Sequence, residues 1–247
     1  MTISSRSDLD GMKRVGRLVA RAVAYMRGEA RSGMTTAQLD ELGARFLRRE
    51  GARSAPQLTY GFPGFNCISL NDEVVHGVPG TRVLRPGDVL KIDVTAELDG
   101  FIADSAVTVL LPPSTNEARR LRHCAHMAFA RAMRVTRADV ALSEIGRVVE
   151  DEVTRHGFSV IRDLTGHGVG RRIHEEPSVP NHYSPFTRGR LRDGQVLAVE
   201  PLVSSRPARI VEEPDGWTLR THNHALAVHH EHTVVVTKGR ALVLTAA

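Results

Sequence analysis

Apolar residues recur at helical spacing in four places along the chain and at strand spacing in the stretches between them. From Asp8 to Arg27, Leu9, Met12, Val19, Val23 and Met26 form one stripe; from Thr36 to Glu50, Leu39, Leu42, Phe46 and Leu47 form another, which stops at Gly51. The plan then repeats. Ser114 to Arg134 carries Leu121, Cys124, Ala125, Ala128, Phe129 and Met133, and Ser143 to His156 carries Ile145, Val148, Val149 and Val153 before Gly157. Sliding the first half by 106 positions superposes Leu39 on Ile145, Leu47 on Val153, Gly51 on Gly157, Thr59 on Thr165 and Gly64 on Gly170. An internal duplication predicts a pseudo-twofold fold, with chance likeness of helical stripes as the competing explanation.

Between and after the helices, VLKIDVTAEL, FIADSAVTVLL, GQVLAVEPLVS and HHEHTVVVT read as strands. Helix pairs alternating with antiparallel strands, without regular βαβ units, predict an α+β fold in which helices cover one face of a curved antiparallel sheet. The expected organisation is a single domain over residues 1–247.

Composition narrows the class. With 247 residues, 41% hydrophobic and 25% charged, the chain can bury a sizeable core. No apolar run approaches the roughly 18 residues of a membrane span, and MTISSRSDLDGMKR lacks the apolar centre of a secretory signal. Cys67 and Cys124 form no metal-spaced pair and suit a reducing compartment, so the cytoplasm is expected. The net charge of +5 is spread along the chain rather than gathered in one block. Sequence-specific nucleic-acid binding is therefore not expected, while weak, transient docking to an anionic particle such as the ribosome stays open. A monomer is expected.

The first chemical constellation lies in VLKIDVTAELDGFIADSAVTV. Asp99-Gly100 between two β-branched runs predicts a two-residue hairpin turn. In that register Leu98 faces Phe101, Thr95 faces Asp104 and Asp93 faces Ala106, which makes the Asp93 and Asp104 carboxylates diagonal neighbours on one face. The alternative is simply the polar side of a hairpin. Two further carboxylates weigh against it: Glu200 interrupts QVLAVEPLV, and Glu231 immediately precedes a β-branched run in HHEHTVVVT. A glutamate in such surroundings is rarely buried without a partner.

Together with one imidazole from the glycine-rich GHGVG, Asp93, Asp104, Glu200 and Glu231 supply a nearly complete ligand set for two divalent cations. Without cations, four converging carboxylates would raise one another's pKa values and oppose folding. Carboxylate oxygens with one histidine and no thiolate suit Mn²⁺, Fe²⁺ or Co²⁺ better than a structural zinc site.

Six ordered segments, NDEVVHGVPG, LKIDVTAELDGFIADS, GHGVGRRIHEEP, QVLAVEPLV, DGWTLRT and HEHTVVVT, give the chain a resemblance over nearly its whole length to the methionine aminopeptidases of type I. These are creatinase-like enzymes with the pita-bread fold. The resemblance implies that Asp93, Asp104, His167, Glu200 and Glu231 hold the metals, with Asp104 and Glu231 bridging, and that His76 and His174 are the catalytic imidazoles. It implies removal of the N-terminal methionine from peptides and nascent chains when the second residue is small. In that chemistry two cations acidify a water and polarise the scissile carbonyl, Glu200 shuttles the proton, His174 binds the carbonyl oxygen and His76 the scissile nitrogen.

By the same resemblance Tyr60, Phe62, Cys67, His76 and Trp217 line the methionine pocket, whose soft and aromatic walls suit a thioether. Tyr60 departs from the histidine that many bacterial members carry there, which bears on the pocket rim. Glu175, Glu176 and His182 are expected to shape their loop, and His229, His230 and His232 to be neighbours of Glu231 rather than ligands. Prolidases and Xaa-Pro aminopeptidases share the metal set and fold, but usually carry a large additional N-terminal domain for which the residues before the first helix leave no room.

Overall fold

The computed structural model describes residues 1–246. The four expected helices are present as α1 (Arg6–Glu29), α2 (Thr36–Arg49), α4 (Asn116–Val135) and α5 (Ser143–Arg155), and a fifth, α3 (Ala55–Tyr60), lies between them. Side-chain caps start three of the long ones: Ser5, Thr35 and Thr115 each accept from a backbone N–H of the first turn, and Thr35 forms a reciprocal capping box with Gln38. The short α3 was not expected. Six residues carry too little periodicity to show a stripe, and its signals are local: Ser54 accepts from Gln57 N at the start, and Pro56 sits in the first turn.

The duplication is visible in the backbone hydrogen bonds that end the second helix of each pair. Gly51 N donates to Arg48 O at 3.1 Å and Ala52 N to Leu47 O at 3.0 Å; Gly157 N donates to Thr154 O at 2.9 Å and Phe158 N to Val153 O at 3.2 Å. Each donor and acceptor of the second set lies 106 positions after its counterpart. The short strands that follow, Arg53–Ser54 and Ser159–Val160, keep the same offset. Each helix pair covers its own core: Met12, Val19, Leu39 and Leu47 pack with Ile68, Ile92 and Val94, while Leu121, Ala125, Ile145 and Val153 pack with Val199, Val203, Val228 and Val234.

All ladders are antiparallel. Strands β1 (Cys67–Leu70), β2 (Val89–Leu98) and β3 (Phe101–Leu110) form the first half. In the hairpin β2–β3, Leu98 pairs with Phe101, Thr95 with Asp104 and Asp93 with Ala106, the expected register. Asp99 and Gly100 both have positive φ, 53° and 78°, as a turn matched to the twist of its strands requires. In the second half, β4 (Gly166–Gly168), β5 (Glu175–Val179), β6 (Val196–Val199), β7 (Ala227–His229) and β8 (His232–Val235) complete the architecture.

Two segments expected as continuous strands are each broken, and the breaks matter. Val196–Val199 pairs with β8, but Leu202–Ser204 pairs with β7 in a different sheet. The chain changes sheets at Glu200–Pro201, where proline has no N–H for the ladder, and its partner changes sheets at His230–Glu231. Both glutamates thus stand at corners between sheets. Among the described residues no helix is long and apolar enough to cross a membrane.

Candidate metal centre

The corners are tied to the hairpin by β3. Glu231 N donates to Ala106 O at 3.0 Å and Ala106 N returns to Glu231 O at 3.3 Å, while Ser105 Oγ donates to the same Glu231 carbonyl at 2.8 Å. One step along, Asp104 N donates to Thr233 Oγ1 at 2.8 Å and Thr233 Oγ1 to Asp104 O at 2.8 Å. These bonds set Glu231 beside Asp104. Thr95 Oγ1 donates to Asp104 Oδ1 at 2.9 Å, which fixes one oxygen of that carboxylate. Across the site, Asn181 Nδ2 holds the Glu200 carbonyl at 2.9 Å.

His167 enters from β4, between two glycines whose backbones are pressed against neighbours. A Cβ on Gly166 would stand 2.4 Å from Ala198 O, and one on Gly168 2.4 Å from Glu176 O, so no side chain fits at either place. The ring Nδ1–H donates to Gly168 O at 2.9 Å, which leaves Nε2 without its proton and 3.6 Å from Glu200 Oε1 and 3.8 Å from Asp104 Oδ2. That tautomer is the one a metal-binding imidazole needs.

Every site residue expected from sequence lines one cavity enclosing about 150 Å³: Asp93, Asp104, His167, Glu200 and Glu231 at the back, and His76, His174, Tyr60, Phe62, Cys67 and Trp217 around them. Asp104, Glu200 and Glu231 are 5%, 8% and 2% exposed. Loss of hydration pushes Glu200 up to about 8 and Asp104 up to about 6, and together with the neighbouring carboxylates it holds Asp93 and Glu231 well above the usual carboxylate range. Burial lowers His167 and His76 to about 4. A buried cluster of this kind resists ionisation until cations enter. Asp93 Oδ1 is buried with no hydrogen-bond partner, an orphan that a cation would satisfy. Two groups of three, Asp104–His167–Glu231 and Asp93–His229–Glu231, each offer donor atoms within 4.8 Å of one another. The oxygen-rich donor set fits divalent cations.

At the mouth, Tyr60 Oη and His174 Nδ1 share a hydrogen bond at 2.6 Å, and burial raises the phenol so that it keeps its proton. Phe62 and Trp217 meet edge to face, with ring centroids 5.3 Å apart. Burial, followed by the charges of Asp93 and Asp104, pushes the Cys67 thiol far up, so it is a protonated wall of the cavity. His76 follows the strand Glu73–Val75 with φ of 58°. Its turn is held by Gly77 N donating to Ser69 Oγ at 3.0 Å and Ile68 N to Gly77 O at 2.9 Å.

Glu175 shapes the loop beyond His174. Its Oε1 accepts from Arg171 N and Arg172 N, both at 2.8 Å, and its Oε2 pairs with the Met1 ammonium. His229, expected as a neighbour of Glu231, is one: it lines the cavity, 2% exposed, with Nε2 3.5 Å from Glu231 Oε2.

The model of metallopeptidase family M24 matches residues 10–238. The chain is 40% identical to methionine aminopeptidase 2 of Bacillus subtilis over 247 residues, covering 99% of each. It is 34% identical to a methionine aminopeptidase of Clostridium perfringens, covering 98% of each. Its structure is similar to the methionine aminopeptidase of Thermotoga maritima, with TM-score 0.96 and 33% identity over the whole of both chains. The prolidase of Pyrococcus furiosus shares the fold, with TM-score 0.80 and 19% identity over 66% of its length. With a buried oxygen-rich cluster at the junction of two duplicated halves and full-length likeness to such relatives, the chain belongs to metallopeptidase family M24, and within it resembles the methionine aminopeptidases.

Proposed function

We propose that residues 1–247 act as one catalytic unit that removes the N-terminal methionine from peptides and nascent chains whose second residue is small. The observation that carries this reading is the convergence of four carboxylates and His167 in a cavity whose free wall is Phe62, Cys67 and Trp217. Asp93, Asp104, His167, Glu200 and Glu231 would hold two divalent cations, Mn²⁺, Fe²⁺ or Co²⁺. When bound, such cations supply Lewis acidity for water activation and carbonyl polarisation.

The chain's own residues do the rest. Glu200, buried at the corner between sheets, accepts a proton from the attacking water and delivers it to the leaving amine. Tyr60 holds His174 with its ring proton on Nε2, the donor to the carbonyl oxygen as charge develops there. His76, fixed by its Ser69-anchored turn, contacts the scissile nitrogen. The apolar wall takes the unbranched thioether, and the protonated Cys67 takes no covalent part.

Two free, buried cysteines suit the reducing cytoplasm, and the net charge of +5 suits brief contact with the ribosome, where nascent chains emerge, by a monomeric enzyme. Methionine release from Met-Ala-Ser, beside an Ala-Pro peptide, with Mn²⁺ or Co²⁺ and again after chelation, tests the assignment. Preference for the Ala-Pro peptide, or methionine release that survives complete metal removal, rejects it.

A further inference from the structure

His229 ends β7, and its backbone is clamped to β3: His229 N donates to Thr108 Oγ1 at 3.0 Å and Thr108 Oγ1 donates to His229 O at 2.8 Å. The clamp points the ring into the cavity beside Glu231. Nε2 stands 3.4 Å from Glu200 Oε2 and 3.5 Å from Glu231 Oε2, yet neither ring nitrogen makes a hydrogen bond. Asp93 Oδ1 is likewise buried without a partner. These two orphans belong to the same group of three, completed by Glu231, with donor atoms within 4.8 Å of one another. Unpaired buried polar atoms are costly, and a single cation among the three residues satisfies both.

Glu231 is also a member of the second group, with Asp104 and His167. The two groups therefore share one carboxylate and carry one imidazole each. We propose that His229 is a metal ligand, its Nε2 coordinating the cation held by Asp93 and Glu231, so that each of the two cations has an imidazole of its own. This rests on the reading of the cavity as a metal centre and adds a ligand outside the five named above. A second imidazole shifts the centre's preference from Mn²⁺ toward Co²⁺, Fe²⁺ and Zn²⁺.

The ligand count can be read without any activity measurement. In protein saturated with Co²⁺, each coordinated imidazole gives one solvent-exchangeable, strongly shifted N–H proton resonance. Two are expected in the wild type, one of which disappears in His229→Gln and the other in His167→Gln. Equilibrium dialysis of His229→Gln should show Co²⁺ affinity down at least tenfold, with a smaller change for Mn²⁺. A wild-type spectrum with a single such resonance overturns the proposal, and because that count needs no variant, misfolding of His229→Gln cannot obscure the answer. Wild-type protein that takes up no Co²⁺ at all overturns the metal-centre reading as well.

Discussion

Stripping the metal should turn the site into a source of pH-dependent instability, and Glu200 gives its size. The carboxyl has an ordinary value of 4.5, is raised to about 8 by burial, and is 8% exposed. The sign follows from linkage: between those values the unfolded chain has lost the proton while the folded chain keeps it, so folding takes up a proton and stability falls as pH rises. Between about pH 5 and about pH 8 the loss is roughly three pH units at ~1.4 kcal/mol each, or about 4 kcal/mol. For a chain of this size that lowers the melting temperature by about 8–16 °C. Asp104, raised to about 6, adds to the fall at the lower end of the range. The assay is thermal denaturation of chelated protein across this range, beside protein saturated with Mn²⁺, whose stability should hold or rise because cations bind the ionised ligands. Glu200→Gln should flatten the chelated profile. A chelated wild type whose melting temperature is flat or rises from pH 5 to pH 8, with Glu200→Gln unchanged from it, refutes the argument.

Three further outcomes are expected. Asp104→Ala should lose both metal and activity, whereas His174→Ala should keep its metal and fold and lose roughly 10²–10³ in kcat, the size of one missing donor to a developing oxyanion; metal analysis alongside steady-state kinetics separates the two. Tyr60→Phe removes the hydrogen bond to His174 Nδ1 and should cost about tenfold in kcat, equivalent to the ~1.4 kcal/mol of one good hydrogen bond, and an unchanged kcat would show that Tyr60 does not hold the imidazole. In Gly77→Ala the new Cβ would stand 2.3 Å from Ile68 O, so the His76 turn must shift; activity should fall sharply while metal content stays normal, and full activity would disconnect that turn from catalysis.

The parts of this fold that the sequence reveals are those fixed by neighbours in the chain. Asp99-Gly100 sets the register of β2 against β3, and with it the placement of Asp93 and Asp104 on one face. The long helices follow from their stripes, and the ends of α2 and α5 from Gly51 and Gly157; the repeated cap hydrogen bonds show why an offset of 106 aligned the two halves. What the sequence hides depends on distant partners. That Glu200 and Glu231 stand at corners between sheets follows from Leu202–Ser204 pairing with β7 and β6 pairing with β8, which no local pattern specifies. Tyr60 and His174 are 114 positions apart and meet only in the folded chain. That His229 faces into the cavity was hidden in HHEH because the chain changes sheets at His230–Glu231, so strand periodicity does not run through the segment.

The central claim, that this carboxylate-rich cavity is a two-cation centre for releasing N-terminal methionine, is tested most directly by titrating chelated protein with Mn²⁺ or Co²⁺. Metal bound per chain and methionine released from Met-Ala-Ser are followed in the same samples. Activity should be absent at the start, rise with occupancy, and saturate with two cations per chain. Methionine release that persists in metal-free protein, or a fully loaded protein that releases no methionine, would contradict the account.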